Sequence, residues 1–477
     1  MRQLEADYLI VGAGAVAMAF ADTLLTDSDA SLIMVDRRHR PGGHWNDAYP
    51  FVRLHSPSLF YGVNSRRLGS ERLEQTGLNR GFCELASSPE ICAYFEAVMR
   101  EQFLPSGRVT YLPMSEYAGD GEVISRVAGS RTRVRARRVV DATYADTRLA
   151  STHPPGFSVA AGVRLLPPHE LPAVAEPYEG WVIIGAGKTA MDAAVWLLEN
   201  GAPPDRITWI RPRDAWMLPR ENFQPTAEGF APSIGGLAAE LEAASNATSV
   251  PDLFERLEAA GLLKRIDPEV TPTMYRCAIV SSSELELMRR ITRVVRLGHV
   301  EAIEPDRVVL EGGVLHSPPN VIYVNCTADG IPSRAPQPIF QRERILLQYV
   351  RRCLPTLSGA FVAHIEATRA DEDEKNSLCA PIPAPHNPLD WLRMHLSEAA
   401  NRLRWSEHPE LQAWFAGSRL DPFTGLVERA MKQPTAEQAA ILERYRKAAR
   451  PAYQRLAELL EGADTPSSQR VARPLKG

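Results

Sequence analysis

Two glycine-rich turns in this sequence have the residue types and the spacing that hold the phosphates of a nucleotide. The first reads Gly12-Ala13-Gly14-Ala15-Val16-Ala17 and lies between a short apolar run and a helical pattern. In such a turn Gly12 permits the reversal from strand to helix, Gly14 lets a pyrophosphate approach the backbone, and Ala17 lets the helix pack closely on the strand. The N–H groups at the start of the helix then face the phosphate.

An acidic residue follows this first turn at the expected distance along the chain. The next apolar run, SLIMVD, ends in Asp36, where a carboxylate bonds the ribose hydroxyls of a dinucleotide, and Arg37 comes directly after it. A turn that connects a strand to a helix without binding a ligand is the alternative. The order of strand, turn, helix, strand and acid favours dinucleotide binding, with Asp36 and Arg37 in the site.

The second turn contains the letters GKT but does not predict a nucleoside-triphosphate enzyme. A phosphate-binding P-loop needs a glycine where this chain has Val182. The apolar run WVII leads instead into a second G-x-G-x-x-A turn, followed by a helical pattern. This pattern predicts a second dinucleotide site, which includes Gly185, Gly187, Lys188, Thr189 and Ala190.

The charge that follows the second turn differs from that of the first. Where Asp36 ends the second strand of the first unit, the run RITWIRPRD places Arg211 and Arg213. Guanidinium groups bind a 2′-phosphate through charge-assisted hydrogen bonds, whereas a carboxylate there repels it. We therefore predict NADPH as the second cofactor, although either arginine can also be a solvated surface charge.

Composition excludes several classes of protein. The 477 residues suffice for two or three domains of roughly 150 residues. A net charge of -4 and a pI near 6.3 give no reason to expect nucleic acid or a membrane as partner. The six scattered cysteines predict reduced thiols and no redox-active disulfide. With no long apolar run and a first strand reached by Asp7, we expect no membrane span, no cleavable signal and a cytoplasmic protein.

One segment resembles a known family. Gly42-Gly43-His44-Trp45, followed by VRLHSPS at 52–58, is similar to the GGxW segment of class B flavoprotein monooxygenases. The resemblance implies that Gly43, His44 and Trp45 lie beside FAD. The strand that ends in Ala142-Thr143 and the stretch Thr327-Ala328-Asp329-Gly330 look like the two crossovers of that family, which implies cofactor contacts for Thr143 and Asp329.

The resemblance also implies a reaction. In that family NADPH reduces FAD, and one oxygen atom passes through a flavin C4a-(hydro)peroxide to nitrogen, sulfur or carbon of a small organic substrate. His55, Ser56 and Asn64 would face the flavin, although each can also be a turn residue. Phe157, Gly162 and His169 depart from the spacing of the fingerprint of flavin-containing and Baeyer–Villiger enzymes, so we expect a divergent relative. A flavoprotein reductase or dehydrogenase without oxygen insertion is one alternative, and a non-catalytic binding or regulatory protein on the same fold is another.

The elements that must position these residues predict an α/β fold with two Rossmann-like domains, the second inserted in the first. We expect an FAD-binding first segment at 1–150, an NADPH-binding domain at 151–325 with a helical insertion at about 220–295, and an FAD-binding second segment at 326–385. A helical C-terminal region at 386–465 and a disordered tail at 466–477 complete the prediction. The insertion can form a lid or a dimer surface.

Overall fold

The computed structural model, which describes residues 2–175 and 178–464, is a mixed α/β fold in which parallel strands carry the glycine turns. The strands are β1 (Arg2–Val11), β2 (Leu32–Val35), β3 (Val109–Leu112), β4 (Ser115–Gly119), β5 (Glu122–Ser125), β6 (Arg131–Asp141), β7 (Ser158–Val159), β8 (Leu165–Leu166), β9 (Gly180–Ile184), β10 (Ile207–Ile210), β11 (Ala215–Pro219), β12 (Met274–Val280), β13 (Arg293–Val295), β14 (Val300–Glu304), β15 (Arg307–Leu310), β16 (Gly313–His316), β17 (Val321–Asn325), β18 (Phe340–Gln341) and β19 (Arg344–Leu346).

Helices pack on one face of each parallel sheet and form the C-terminal part of the chain, whereas strands β5 and β6 cover the other face of the first sheet and strands β14 and β15 that of the second. They are α1 (Ala15–Asp27), α2 (Ser88–Val98), α3 (Lys188–Glu199), α4 (Phe230–Asn246), α5 (Val250–Ala259), α6 (Ser282–Met288), α7 (Pro355–Thr368), α8 (Glu372–Leu378), α9 (Pro388–Ser406), α10 (Pro409–Gly417), α11 (Thr424–Lys432) and α12 (Ala436–Asp464). The predicted α/β class with parallel sheets and many helices is confirmed at this level.

The first sheet holds β1 at its centre. Its strand order is β18-β19-β6-β1-β2-β3, and the antiparallel strands β4 and β5 extend it from β6. Strands β2 and β6 both run parallel to β1, so the carboxyl ends of all three strands meet at one edge. Helix α1 connects β1 to β2, and His364 of α7 contacts the carboxylate of Asp27 at 2.7 Å, which ties α7 to the end of α1.

The second sheet is built in the same way around β9. Its order is β13-β10-β9-β17-β8, and each of the pairs in it is parallel. Strand β9 is nearly all buried, as its run of Trp, Val and Ile predicts for a central parallel strand. Helix α3 follows β9 and packs on the sheet through buried alanine and leucine side chains. The second glycine turn therefore lies at the carboxyl end of a central strand.

The chain leaves the first sheet after β6 and returns to it after β17. Strands β18 and β19 join the edge of β6, where Leu346 aligns with Asp141. Residues 340–346 thus belong to the same sheet as the N-terminal strands, although the whole second sheet lies between them in the sequence.

The segment expected to be a helical insertion is only partly helical. It contains α4, α5 and α6, but β12 also lies within it and pairs in parallel with β11. Helix α4 packs against α11 and α12 through a cluster that includes Phe230, Ile234, Leu426 and Ile441. The predicted helical region after residue 386 contains α9 to α12, and the tail predicted at 466–477 lies outside the described residues.

The prediction of six free thiols was wrong for one pair of cysteines. A disulfide joins Cys277 of β12 to Cys353, 76 residues further along the chain. Spacing in the sequence gives no sign of this pair, because the fold brings two distant segments together. Within the described residues, no helix is both long and apolar enough to cross a membrane.

Candidate functional site

A single large cavity collects most of the predicted site residues. Its volume is about 2160 Å³, and it is lined by Gly14 of the first turn, Gly187 of the second turn and the disulfide Cys277–Cys353, as well as by helices from the C-terminal region. A pocket for one drug-sized ligand has roughly 300–1,000 Å³. This cavity therefore has room for more than one ligand.

The first glycine turn packs directly against the GGHW segment. A Cβ atom on Gly43 would lie 2.8 Å from the Cα of Gly14, so a side chain at position 43 cannot be accommodated without moving the turn. Gly43 also has a φ of +58°, which favours glycine. Among residues 2–175 and 178–464, no side chain caps the start of α1, which leaves its first N–H groups for another acceptor.

Asp36 closes the first turn from the end of β2. One of its carboxylate oxygens accepts a hydrogen bond from the N–H of Ala13 at 2.6 Å, and the other accepts one from the N–H of Arg38 at 2.8 Å. Asp36 is buried and Arg37 is exposed, and neither of these two predicted site residues lines the cavity. Ala17 is fully buried in the core under α1, as expected for the small residue of this turn.

His44 and Trp45 both reach the cavity. The Nε1 of Trp45 donates a hydrogen bond to the hydroxyl of Tyr61 at 2.8 Å, which fixes the indole ring in place. Burial, helped by the charge of Arg38, lowers the pKa of His44 to about 4. His44 is therefore neutral at pH 7 and presents a polar but uncharged ring.

The second glycine turn has the same local construction. A Cβ on Gly185 would lie 2.5 Å from the carbonyl oxygen of Cys326, so this turn also packs against the chain that follows a neighbouring strand. No side chain in the described part of the chain caps the start of α3. Of the predicted residues in this turn, Gly185, Gly187, Lys188 and Thr189 line the cavity, whereas Ala190 is fully buried beneath it.

One carboxylate links the two turn regions. Asp192 on α3 forms an ion pair with Lys188 and accepts a hydrogen bond from the hydroxyl of Tyr49 at 2.7 Å. Phe51, two residues after Tyr49, stacks on Trp196 of α3 with ring centroids 5.3 Å apart. The segment after GGHW is thereby held against the helix of the second turn.

The two predicted phosphate-binding arginines occupy different environments. Arg211 is 2% exposed, pairs with Asp214 at 3.2 Å and lies over the ring of Trp209, so its guanidinium is part of the interior. Burial is the largest effect on Arg211 and lowers its pKa. Arg213 is exposed and lines the cavity. The structure thus brings Arg213, and not Arg211, to the predicted site.

Of the two residues predicted at the crossovers, Asp329 lines the cavity and Thr143 does not. Asp329 lines the cavity and pairs with Arg276 at 2.5 Å, which places Arg276 in the cleft as well. Thr143 packs beside Gly12, but its hydroxyl donates to Asp141 at 2.6 Å, and its neighbour Ala142 is the residue that lines the cavity.

Two of the three predicted catalytic residues line the cavity. Burial, followed by the charges of Lys188 and Arg220, lowers the pKa of His55 to about 3, so its ring is neutral at pH 7. Ser56 lines the cavity beside it. Asn64 is not among the described residues that line the cavity.

Asn64 has a structural contact instead. Its side-chain oxygen accepts a hydrogen bond from the hydroxyl of Ser418 at 3.0 Å, which joins the N-terminal segment to the C-terminal helical region. Nearby, the side chain of Arg419 donates to the carbonyl oxygen of Val63 at 2.8 Å. The position of Asn64 after GGHW gives no sign of this contact, because its partner lies more than 350 residues away in the sequence.

The sequence motifs missed a charged network on the far side of the cavity. Arg351 and Arg352 follow β19 and form ion pairs with Glu398 of α9. Arg402, one turn further along α9, also lines the cavity. The adjacent arginines are the only local signal, and they do not specify a partner. Among the described residues, no cluster of three or more His, Cys, Asp or Glu is arranged to hold a metal ion.

Sequence comparison places the chain in a family. It is 47% identical over 470 residues to Uncharacterized protein Rv2000 of Mycobacterium tuberculosis, covering 98% of this chain and 87% of that protein. It is equally similar to Uncharacterized protein Mb2023 of Mycobacterium bovis. The chain belongs to the family of these mycobacterial proteins. No family model matches it.

Solved structures that match the chain do so at low sequence identity and with TM-scores below 0.5. A flavin-containing monooxygenase from Stenotrophomonas maltophilia is 14% identical, covers 80% of this chain and all of its own, and has a TM-score of 0.45. An oxidized steroid monooxygenase bound to NADP is 14% identical over 76% of this chain and 85% of its own, with a TM-score of 0.48. A bacillithiol disulfide reductase from Bacillus cereus is 14% identical, covers 77% of this chain and all of its own, and has a TM-score of 0.41. The activities that these titles state are those of the three solved proteins.

Proposed function

We propose that the protein is an oxidoreductase that binds FAD at the first glycine turn and NADPH at the second, and that it inserts one oxygen atom into a small organic substrate. The observation that carries the proposal is geometric. Two helices, α1 and α3, each begin without a side-chain cap after a glycine turn at the carboxyl edge of a parallel sheet, and both turns open onto one cavity. Such helix starts bind phosphate groups.

The residues around the first turn fit FAD. The close packing of Gly14 on Gly43 leaves backbone, and no side chain, at the start of α1, where a pyrophosphate needs to approach. Asp36 directly follows β2, at the sequence position of a carboxylate that binds ribose hydroxyls, but it is buried and its oxygens accept hydrogen bonds from Ala13 and Arg38, so its part is to hold the turn. His44 and Trp45 line the cavity further along and would contact the rest of the cofactor.

The residues around the second turn fit NADPH. A Cβ on Gly187 would meet no atom within 4 Å, so the space before α3 is open. Arg213 has the exposed guanidinium that a 2′-phosphate requires, whereas Arg211 is committed to Asp214. Lys188 and Thr189 line the cavity at the same turn. We therefore assign the phosphate contact to Arg213.

The chemistry follows from placing both cofactors in one cavity. FAD held at the first turn and NADPH held at the second would together supply hydride transfer and oxygen activation. The chain's own residues position these groups and limit the access of water. Neutral His55 and Ser56 offer hydrogen-bonding groups without a fixed charge, and Tyr49 holds α3 against the first unit through Asp192.

The domain arrangement that supports this function remains the one expected from the sequence. Residues 1–150 and 326–385 would form the FAD-binding unit, and residues 151–325 the NADPH-binding unit. The return of residues 340–346 to the first sheet supports this division. The helical region at 386–465 would close the cavity from the other side, since its helices contribute lining residues.

Rapid mixing tests the oxygenase assignment. The FAD-loaded protein is first reduced with NADPH under anaerobic conditions and then mixed with oxygenated buffer. The proposal predicts a distinct absorbing transient before the oxidised spectrum returns, and the transient should shorten in the presence of substrate. Direct return to the oxidised spectrum, with hydrogen peroxide formed at the same rate, would contradict oxygen insertion.

A second candidate function is supported by the disulfide. Cys277 and Cys353 both line the cavity, so the pair is placed to accept two electrons and two protons and become two thiols. In that reaction NADPH is oxidised to NADP⁺ and the disulfide is reduced, with no oxygen inserted. Anaerobic titration separates the two functions: FAD alone consumes one equivalent of NADPH, whereas FAD and the disulfide together consume two and release two thiols.

A further inference from the structure

The end of the cavity that faces the C-terminal helices is mostly apolar. Leu403 of α9 and Met431 of α11 line it with 67% and 65% of their surfaces accessible, which is high for side chains of this type. Val427 of α11 and Leu442 of α12 also line the cavity and pack against one hydrophobic cluster. This region therefore offers apolar contact to a ligand that enters between the helices.

Two arginines beside this apolar region are already paired. Arg351 forms ion pairs with Glu398 at 2.8 Å and with Asp421 at 3.0 Å. Arg352 pairs with Glu398 at 2.7 Å and with Glu240 at 3.2 Å. All three carboxylates are thus in direct contact with these two guanidinium groups, which have little capacity left for a ligand.

Arg402 differs from Arg351 and Arg352 in its hydrogen-bond and ion-pair partners. It lies one helical turn after Glu398 on α9 and lines the cavity, yet within the part of the chain that the structure describes no carboxylate lies within 4 Å of its guanidinium nitrogens and no group accepts a hydrogen bond from it. Burial acts to lower its pKa, but Tyr445, Glu398 and other neighbours raise it, so the side chain stays charged. Arg402 is therefore a charged, exposed side chain on the cavity wall whose N–H donors can bind a ligand.

We propose that this end of the cavity binds an amphipathic monocarboxylic acid, with the carboxylate on Arg402 and the apolar chain between Leu403, Val427, Met431 and Leu442. A carboxylate matches the planar fork of a guanidinium and forms two charge-assisted hydrogen bonds with it. The surrounding apolar side chains favour a ligand with a single charged end. This inference deepens the proposed function and rests on it only for the reaction that the bound acid undergoes.

Calorimetric titration of the full-length, FAD-loaded protein tests the inference with decanoate and 1-decanol, which share an apolar chain and differ in charge. We expect decanoate to bind at least tenfold more tightly than 1-decanol. Arg402→Met should weaken decanoate binding tenfold or more and leave 1-decanol binding unchanged, and Arg402→Lys should restore part of the loss. Arg446→Met is the matched control, because Arg446 lies on α12 with a side chain that is 74% exposed.

Two results overturn the inference: equal binding of the two ligands, or undiminished decanoate binding by a folded Arg402→Met variant. Circular dichroism and the Tm establish that the variant is folded, and Arg402→Lys supplies the comparison if it is not. The titration contains no NADPH, so its outcome is independent of electron transfer. A protein that binds decanoate but is not reduced by NADPH contradicts only the proposed function, whereas one that is reduced but does not bind decanoate contradicts only this inference.

Discussion

Gly14 is the residue at which the backbone must carry no side chain if FAD binds at the first turn as proposed. Replacing it with valine would put branched carbons where the pyrophosphate approaches the start of α1, beside Gly43. We expect Gly14→Val to lower the FAD content of the purified protein to about a tenth or less, measured by absorbance after release of the flavin. Gly156→Val is the control, because a Cβ there meets no atom within 4 Å. A fully yellow Gly14→Val protein would refute the site.

The two arginines after β10 should respond differently to substitution. Arg213→Ala removes an exposed guanidinium on the cavity and should raise the KM for NADPH about tenfold or more, with little change for NADH. Arg211→Ala instead breaks a buried ion pair with Asp214 and should lower the free energy of unfolding by about 3 kcal/mol. Steady-state kinetics with both nucleotides and urea unfolding separate the effects. Equal shifts in the two KM values for Arg213→Ala would show that it does not contact the 2′-phosphate.

His55 should make stability depend on pH in a defined window. In the unfolded chain it takes up a proton near pH 6.5, but in the folded protein only near pH 3. The unfolded state therefore binds more protons between these values, and stability falls as the pH drops through this window. Between pH 7 and pH 5 the wild-type protein should lose about 1–2 kcal/mol more than His55→Gln, measured by urea unfolding.

The control for His55 is an exposed histidine. His316→Gln on β16 should leave the pH dependence of stability as it is in the wild-type protein. If His55→Gln and the wild-type protein lose stability in parallel between pH 7 and pH 5, His55 is not held neutral by its surroundings.

At the scale of elements, the sequence predicted the units whose signals are local. A strand, a glycine turn and a helix follow one another within about 30 residues, and the physical reasons for their residue types act within the same stretch. The turns before α1 and α3 could therefore be predicted from the amino-acid sequence alone. The strand β12 was missed because helical patterns on both sides dominate that segment and its partner β11 lies more than 50 residues earlier.

Contacts between distant elements were not predictable in the same way. Arg211 and Arg213 look equivalent in the sequence, and only the packing of Arg211 on Trp209 and Asp214 separates them. Asn64 follows GGHW but bonds to Ser418 on the C-terminal side of the fold. Side-chain direction and long-range pairing decide these cases, and neither is encoded in the spacing of a motif.

The disulfide between β12 and the segment after β19 is tested by counting thiols. We expect the protein, denatured without reductant, to show four reactive thiols, from Cys83, Cys92, Cys326 and Cys379, and six after reduction. Closing a loop of this length also restricts the unfolded chain, so reduction should lower the free energy of unfolding by roughly 2–4 kcal/mol. Six thiols before reduction would mean that Cys277 and Cys353 are not bonded.

At the scale of the whole molecule, the cavity is the feature that would bring the two proposed nucleotide sites together in one enzyme. It joins the carboxyl edges of two parallel sheets and is closed by the helices after residue 386. Its composition changes from glycine turns at the sheets to apolar side chains and Arg402 at the helices. This division suits cofactors at one end and substrate at the other, and it arises only from the assembled fold.

The most direct test of this account is the anaerobic addition of NADPH to the FAD-loaded protein, followed by its visible spectrum. We predict that the yellow colour bleaches in the wild-type protein, and that Gly187→Val keeps its FAD but bleaches at least tenfold more slowly, because the valine fills the open space before α3. A protein that takes up no FAD, or a flavin that NADPH leaves oxidised, would contradict the central claim.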